Sequence, residues 1–313
     1  MTRIALVFPG QGTQHTGMGK TLLAGYDTAR KVFDRASSVL GVDIRKLCLE
    51  SPQEVLDLTV NTQIAVLTLS MALHDVFKKE TNISPYVIAG HSLGEYCALY
   101  AAGAIDFADV LLLVQARARY HQEACSPGEG AMAAIIGMDD GSVAEICREI
   151  STGQSRVSVA IENAPQQIVV SGHAAAVEKV MVEARKKGAV KVVELPISVP
   201  CHCGLLQSAA DRFAETLAGV TFKDFAIPVI PNCNPEMFYS RENAKQFLVN
   251  QIISPVQWRQ TVDKMSAMDV QTIVEIGPKR TLCGLIKRIN KNIQLFCIED
   301  AVSLQKTAAL LCP

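Results

Sequence analysis

The apolar positions along the chain fall into two rhythms. Near the amino terminus "RIALVFPGQGTQ" gathers a run of apolar residues and stops at a glycine-rich turn, and "YVIAGHS" does the same before a serine. Short continuous apolar runs bounded by turn residues read as strands buried on both faces. Between these two the spacing turns helical. From Val60 to Lys79, Ile64, Leu67, Met71 and Leu73 recur at helical spacing, and "FADVLLLVQARARYHQEA" forms a further helix. Buried strands alternating with helices predict a parallel α/β sheet with helices on both faces.

From about Glu129 to Ile197 the rhythm changes. "GAMAAIIGM" is strand-like, "GSVAEICREI" helical, "RVSVAIENA" and "QIVVSG" strand-like, "AAAVEKVMVEARKKG" helical and "AVKVVELPI" strand-like again. The order β-α-β-β-α-β is the ferredoxin-like arrangement. It starts after "SPGEG" and closes at Pro196, so turn residues mark both ends. The expectation is therefore an α/β protein in two parts. Residues 1–127 and 199–313 form a large α/β-hydrolase-like domain with a parallel sheet, and residues 128–198 form a small ferredoxin-like domain inserted in it. After the insertion come a helix from Leu205, a short "PVIPN" strand, helices around Lys245 and Val262, and the strand "QTIVEIG". A last helix and strand end near Glu299, and no internal repeat or low-complexity segment interrupts the pattern.

Composition narrows the class. With 313 residues, 49% of them hydrophobic, the chain is long enough for one large core or a core plus a smaller one. The formal net charge of -1 gives no polyanion-binding surface, so no nucleic-acid partner is expected. Met1-Thr2-Arg3 leads straight into "IALVF", too short for a signal-peptide core, and no apolar run reaches the ~20 residues of a membrane span. A cytoplasmic protein without a membrane partner is the expectation. The ten cysteines are scattered with no C-x-x-C pair and read as free thiols of a reducing compartment. The "CHC" at 201–203 is the one tempting cluster. On an extended segment its two sulfurs point to opposite faces, so no metal site is expected.

The chemistry centres on "VIAGHSLGEYCALYAAGAI", where Ser92 stands between Gly90 and Gly94. A serine hydroxyl reacts at neutral pH only when a base takes its proton and donors stabilise the oxyanion. A strand, a sharp glycine-flanked turn and a helix supply the nucleophile elbow, and the N–H after the serine, that of Leu93, faces the reacting carbonyl. Chance alone produces G-x-S-x-G in roughly one such chain in ten, so the strand before it and the helix after it carry the reading.

Six histidines compete for the role of base. His15, His74, His121 and His173 lie in or beside predicted helices or turns and read as surface or satisfied packing residues. His91 adjoins Ser92 but projects elsewhere on the turn, which makes it a wall of the site. His202 lies in "LPISVPCHCG", at the return from the small domain to the large one, where loops often carry catalytic groups. No acid announces itself as a third member: Glu194 is embedded in a strand and Asp211 lies on the next helix. A Ser-His dyad oriented by a backbone carbonyl is the expected arrangement.

Seven segments in order, "FPGQGTQHTGMG", "AGHSLGEYCALYAAGAIDFAD", "QARARYHQEA", "GAMAAIIGM", "VPCHC", "NQIISPVQW" and "VEIGP", resemble the malonyl-CoA:acyl carrier protein transacylases of fatty acid synthesis and the related acyltransferases of polyketide synthases. The resemblance covers almost the whole chain. It implies that Ser92 carries the acyl group as an ester and that His202 is its general base and later its general acid. It implies an oxyanion hole from the N–H groups of Gln11 and Leu93, and Gln251 beside the histidine with a main-chain carbonyl in that neighbourhood orienting the ring. Arg117 becomes the clamp for the free carboxylate of malonate.

Periodicity supports Arg117 separately. It follows Val110, Leu113 and Val114 at helical spacings and shares their buried face, where its fork suits a carboxylate. An arginine paired to a buried acid of the protein itself is the other reading. Arg119 is rotated by roughly 200° from it and stands four residues before Glu123, a surface pair. Three positions depart from the family's usual pattern: Thr13 where serine is commoner, Cys201 where serine is frequent, and Lys279 where glycine is usual.

The function implied is a two-step exchange. Malonyl-CoA, a substrate and not a cofactor, acylates Ser92; the phosphopantetheine thiol of an acyl carrier protein then takes the malonyl group. An acidic carrier calls for a basic dock, for which Lys186, Lys187, Lys279, Arg280, Lys287 and Arg288 are candidates, each equally well an ordinary solvated charge. Other readings are a discrete acyltransferase or editing acyl hydrolase of a polyketide synthase, a serine esterase or thioesterase, and a catalytically silent partner in a synthase complex.

Overall fold

The computed structural model describes residues 3–126, 128–197 and 199–312. Nine strands, β1 (Ile4–Phe8), β2 (Val87–Gly90), β3 (Gly130–Ile136), β4 (Val157–Ala164), β5 (Gln167–His173), β6 (Lys191–Glu194), β7 (Val229–Ile230), β8 (Thr272–Ile276) and β9 (Gln294–Ile298), form two sheets in a mixed α/β architecture. The first sheet has the order β7-β2-β1-β8-β9 and is parallel throughout. The second has the order β4-β5-β3-β6 and is antiparallel.

Both faces of the parallel sheet are covered, which is why its strands read as unbroken apolar runs. Successive side chains divide between the faces. Leu6, Phe8, Ile88 and Val274 join the larger core around the helix Thr59–Thr81, whereas Ala5, Val7, Val87, Ala89 and Ile273 pack with Trp258, Val262, Leu282 and Ile286 on the other side. The helix Thr59–Thr81 is buried nearly all round because it is apolar nearly all round.

The antiparallel sheet applies the same alternation to a different end. Ala131, Ala133 and Ile135 of β3 face the helices Asp140–Ile150 and Ala174–Lys186, while Met132 and Ala134 face the other way, with Val169, Ala160, Ile197 and Cys201. The pairing of β4 with β5 shifts register twice between Val159 and Ala164. Such bulges bend a strand and free its backbone groups. Here Ala160 O accepts from Val256 N–H and Glu162 N–H donates to Val256 O, which ties the second sheet to the helical layer of the first.

The elements named from the sequence are present, and the structure adds helices before Val60, among them Asp27–Leu40. A further helix, Ala301–Leu311, follows β9, beyond the expected end near Glu299. Its start is written in Asp300 and Ser303, which bond reciprocally to each other's backbone N–H groups. The expected seams after residues 127 and 198 fall at Pro127 and Ser198, which lie outside the described residues. All ten cysteines are free thiols, and no helix among the described residues is long and apolar enough to cross a membrane.

Candidate active site

β1 and β2 are neighbours, and the loops at their carboxyl ends meet, which is where open α/β sheets hold ligands. The turn after β2 is sharp. Ser92 has φ +51, a left-handed conformation that a non-glycine residue adopts only when its surroundings impose it. Gly90 and Gly94 impose it: a Cβ on Gly90 would stand 2.0 Å from the Gly94 carbonyl carbon, and one on Gly94 would stand 2.0 Å from Phe8 O. Asn232, fully buried, staples the turn by accepting from Ser92 N–H at 2.6 Å and donating to Gly90 O at 2.6 Å.

Leu93 caps the helix Gly94–Ala101, where backbone N–H groups lack intrahelical acceptors. Neither its N–H nor that of Gln11 meets an acceptor among the described residues. The Gln11 loop is held by other bonds: Thr13 Oγ1 donates to Gly10 O at 2.8 Å, Gly12 N–H donates to Gln14 Oε1 at 2.8 Å, and Lys279 Nζ donates to Gly12 O at 3.2 Å. Lys279 has φ +61, so the family's usual glycine at this position fits the backbone and the lysine strains it.

His202 arrives from the second sheet's return strand. Its Nε2 lies 2.7 Å from Ser92 Oγ and its Nδ1 lies 2.8 Å from the main-chain oxygen of Gln251. Gln251 sits in the last turn of the helix Ala244–Ile253, where carbonyls have no helical partner, so its oxygen is free to accept. That bond puts the ring proton on Nδ1 and leaves Nε2 as an acceptor for the serine proton. Neither acid considered in the sequence takes part: Glu194 is exposed, and Asp211 is exposed and bonded to Gln207. Burial, and then the Arg117 guanidinium, pull the His202 imidazole down to about 3, so it is neutral.

Arg117 is only 2% exposed. Its Nη1 donates to Gln63 Oε1 at 2.7 Å, and its Nη2 donates to Gln251 Oε1 at 3.1 Å and to Ser92 Oγ at 3.3 Å. Its Nε has no partner among the described residues, and no protein carboxylate touches it. The reading in which a buried acid satisfies this arginine therefore fails. Arg119 needs a correction of another kind. Glu123 bonds Arg212 at 2.7 Å, and Arg119 reaches only Tyr120 OH at 3.4 Å. Arg212, from the helix Gln207–Ala218, lies over the Tyr120 ring and takes Glu123 by a tertiary contact that the local spacing does not reveal.

Around these groups, Gln11, His91, Met132, Ile161, Ile197 and Cys201 complete a chamber of about 50 Å³ with Ser92, Arg117 and His202. Surface hollows of about 360 and 530 Å³ elsewhere contain none of Ser92, Arg117 and His202. The small chamber is the one that brings Ser92, Arg117 and His202 together. His91 forms part of its wall, with Nε2 3.0 Å from Asn163 Oδ1 and its ring packed on Trp258. His121 departs from the expected surface or satisfied role. It is fully buried, its Nδ1 lies 3.8 Å from Cys201 Sγ, and its Nε2 has no partner among the described residues. Residues 201–203 form a turn with His202 at φ +62, not the extended segment expected. Cys201 consequently faces His121, and Cys203 Sγ donates to Pro200 O. Among the described residues, no group of three or more His, Cys, Asp or Glu is arranged to hold a metal ion.

The polar residues that sequence reasoning missed lie behind the site. Asn232, Gln63, Asn163, Glu95 and Tyr239 are all buried and bond directly to site residues or to one another. Glu95 left a signal, because it is the only charge in "LGEYCALYAAG". Asn232 left none, since its partners are 140 and 142 positions away.

Comparisons with known proteins point in one direction. The acyl transferase domain family matches residues 5–306. The malonyl CoA-acyl carrier protein transacylase of Escherichia coli K12 is 44% identical over 92% of this chain and 93% of its own. The solved transacylase of the same description from Coxiella burnetii superposes with a TM-score of 0.97 at 36% identity, over 100% of this chain and 98% of that one. A malonyl-transacylase solved in complex with a type II polyketide synthase acyl-carrier protein superposes with a TM-score of 0.96 at 38% identity, over 99% and 100% of the two chains. The chain belongs to the acyl transferase domain family, and within it to the malonyl CoA-acyl carrier protein transacylases.

Proposed function

We propose that the protein transfers a malonyl group from coenzyme A to the phosphopantetheine thiol of an acyl carrier protein, through an ester on Ser92. The observation that carries this reading is the convergence on one serine oxygen of a neutral imidazole at 2.7 Å and a buried guanidinium at 3.3 Å. In the first step His202 Nε2 takes the Ser92 proton and Oγ attacks the thioester carbonyl. The carbon–sulfur bond breaks, and the coenzyme A sulfur leaves with that proton. In the second step the carrier's thiol gives its proton to His202, its sulfur attacks the ester carbon, and Ser92 leaves with the proton restored. The N–H groups of Leu93 and Gln11 receive the oxyanion of each step.

Arg117 gives the reading its substrate. A guanidinium held by two neutral glutamines keeps capacity for a carboxylate, and the malonyl group brings one. Docking it also affects the base: a carboxylate on Arg117 cancels part of the positive field that lowers the imidazole's proton affinity. The donor thus prepares its own proton acceptor.

The scaffold is read as a large α/β-hydrolase-like domain of residues 1–127 and 199–313 with an inserted ferredoxin-like domain of 128–198, supported by the strand orders of the two sheets. The reading extends to a polyketide carrier as acceptor, because a 38% identical transacylase is solved with one. A cytoplasmic setting fits ten free thiols and a coenzyme A substrate. Mass spectrometry after incubation with malonyl-CoA tests the proposal. A malonyl adduct on the native protein and none on Ser92→Ala is the expected result; malonate still attached to Ser92→Ala overturns it.

A further inference from the structure

Glu95 stands three residues after Ser92, fully buried, and no step above uses it. Its Oε1 accepts from Asn232 N–H at 3.2 Å and from the Tyr239 hydroxyl, and its Oε2 accepts from Gln251 Nε2 at 2.6 Å. These partners lead back to the site by separate routes. Asn232 holds the Ser92 amide. The Gln251 amide holds Ser92 O at 3.0 Å through Nε2 and Arg117 through Oε1.

The arrangement is a buried anion and a buried cation with a neutral amide between them. A carboxylate in direct contact with Arg117 would satisfy the guanidinium and shut out a substrate carboxylate. Across Gln251 the charges still compensate, yet the guanidinium meets only neutral acceptors, and its Nε meets none among the described residues. A glutamine amide has two orientations of nearly equal shape, and its neighbours choose between them. A neighbour that only accepts hydrogen bonds compels Nε2 to face it, and so turns Oε1 to Arg117.

We propose that Glu95 is a positioning residue for malonyl selection: as an ionised acceptor at 2.6 Å it anchors, together with Ser92 O at 3.0 Å, the Gln251 amide and thereby holds Arg117 ready for the donor's free carboxylate. This rests on the reading of Arg117 given above. The groups facing Glu95 are Arg117, Tyr96 on its own helix, and Cys233 and Tyr239 from the segment after β7. Burial raises Tyr96, Cys233 and Tyr239, so they stay neutral. Glu95 is the member that titrates near neutrality, because burial pushes its carboxyl up to about 7 against the lowering effect of Tyr239, Gln251, Asn232 and Arg117. As pH falls through that value the carboxyl gains a proton, and the Gln251 amide loses the charged one of the two acceptors, Glu95 Oε2 and Ser92 O, that hold its Nε2.

The test is acylation of Ser92 in the whole protein from malonyl-CoA and from acetyl-CoA across pH. In the native protein the preference for malonyl falls as pH drops through neutrality, while acetyl acylation stays level there because His202 remains neutral. Glu95→Gln places a donor against Gln251 and lowers the malonyl preference about tenfold or more, through KM for malonyl-CoA, as expected for a charge-assisted bond left unmade. Tyr239→Phe leaves Gln251 untouched and removes a bond that lowers the Glu95 carboxyl, so the fall in preference moves to higher pH. A preference that Glu95→Gln leaves intact, or a Tyr239→Phe profile that superposes on the native one, overturns the proposal alone. Native protein with no preference for malonyl overturns the Arg117 reading and this proposal with it.

Discussion

Ser92 and Met132 line the same chamber, but they come from two sheets that contribute different things to it. The parallel sheet and its helices bring the polar chemistry: Ser92 after β2, the Gln11 loop after β1, and Arg117, Gln251 and Glu95 from helices packed around it. The antiparallel sheet brings mostly apolar walls, Met132 and Ile161, with Ile197 from the segment after β6; to the polar network it adds Asn163 and, on that same returning segment, His202. The difference follows from how each sheet is closed. A parallel sheet covered on both faces exposes its strand ends, where loops and helix termini offer unpaired N–H and C=O groups. An antiparallel sheet covered by helices on one face has its other face to offer, and side chains there set shape.

The contrast can be broken most sharply at Arg117. Arg117→Ala should cost malonyl transfer on the order of a hundredfold, within the roughly 2–5 kcal/mol expected when one partner of a buried charge pair is removed. Acetyl transfer, which lacks the second carboxylate, should fall far less. Parallel assays with the two donors measure this, and equal losses would make Arg117 a structural residue.

A smaller effect, of a different kind, is expected from the wall. Met132 is 1% exposed, and Met132→Ala should lower stability by about 2–5 kcal/mol in denaturant unfolding. The enlarged chamber should also admit a branched donor such as methylmalonyl-CoA better relative to malonyl-CoA. A donor ratio unchanged by a folded Met132→Ala protein would mean that the second sheet does not set acyl size.

The smallest effect sharpens the boundary between the sheets. Arg259 pairs with Asp140 and lies near Glu162, bridging the two layers while half exposed. Arg259→Ala should cost about 0.2–1 kcal/mol of stability, as partly solvated pairs do, and leave acyl transfer unchanged. A large loss of transfer with little loss of stability would show that the relative placement of the layers depends on this one pair.

Much of this was legible from local pattern. Short apolar runs bounded by turn residues located the strands and helical spacings the helices, and "GHSLG" with its flanks located the turn that carries Ser92, because buried faces and tight glycine turns are written in neighbouring residues. The terminal helix has its signal in the reciprocal cap of Asp300 and Ser303, which apolar spacing does not show. Glu123 pairs with Arg212 and not with Arg119, because spacing on one helix says nothing about a residue on another.

By itself, then, the sequence determined the elements, the elbow and the buried face that carries Arg117, since each depends on residues a few positions apart. Tertiary structure decided the rest. It selected the carbonyl of Gln251 in place of an acid for His202, kept Arg117 clear of any protein carboxylate, and set Glu95 one amide away from it. Those choices join residues 49 to 156 positions apart, and hydrogen bonds across such separations leave no period in a chain.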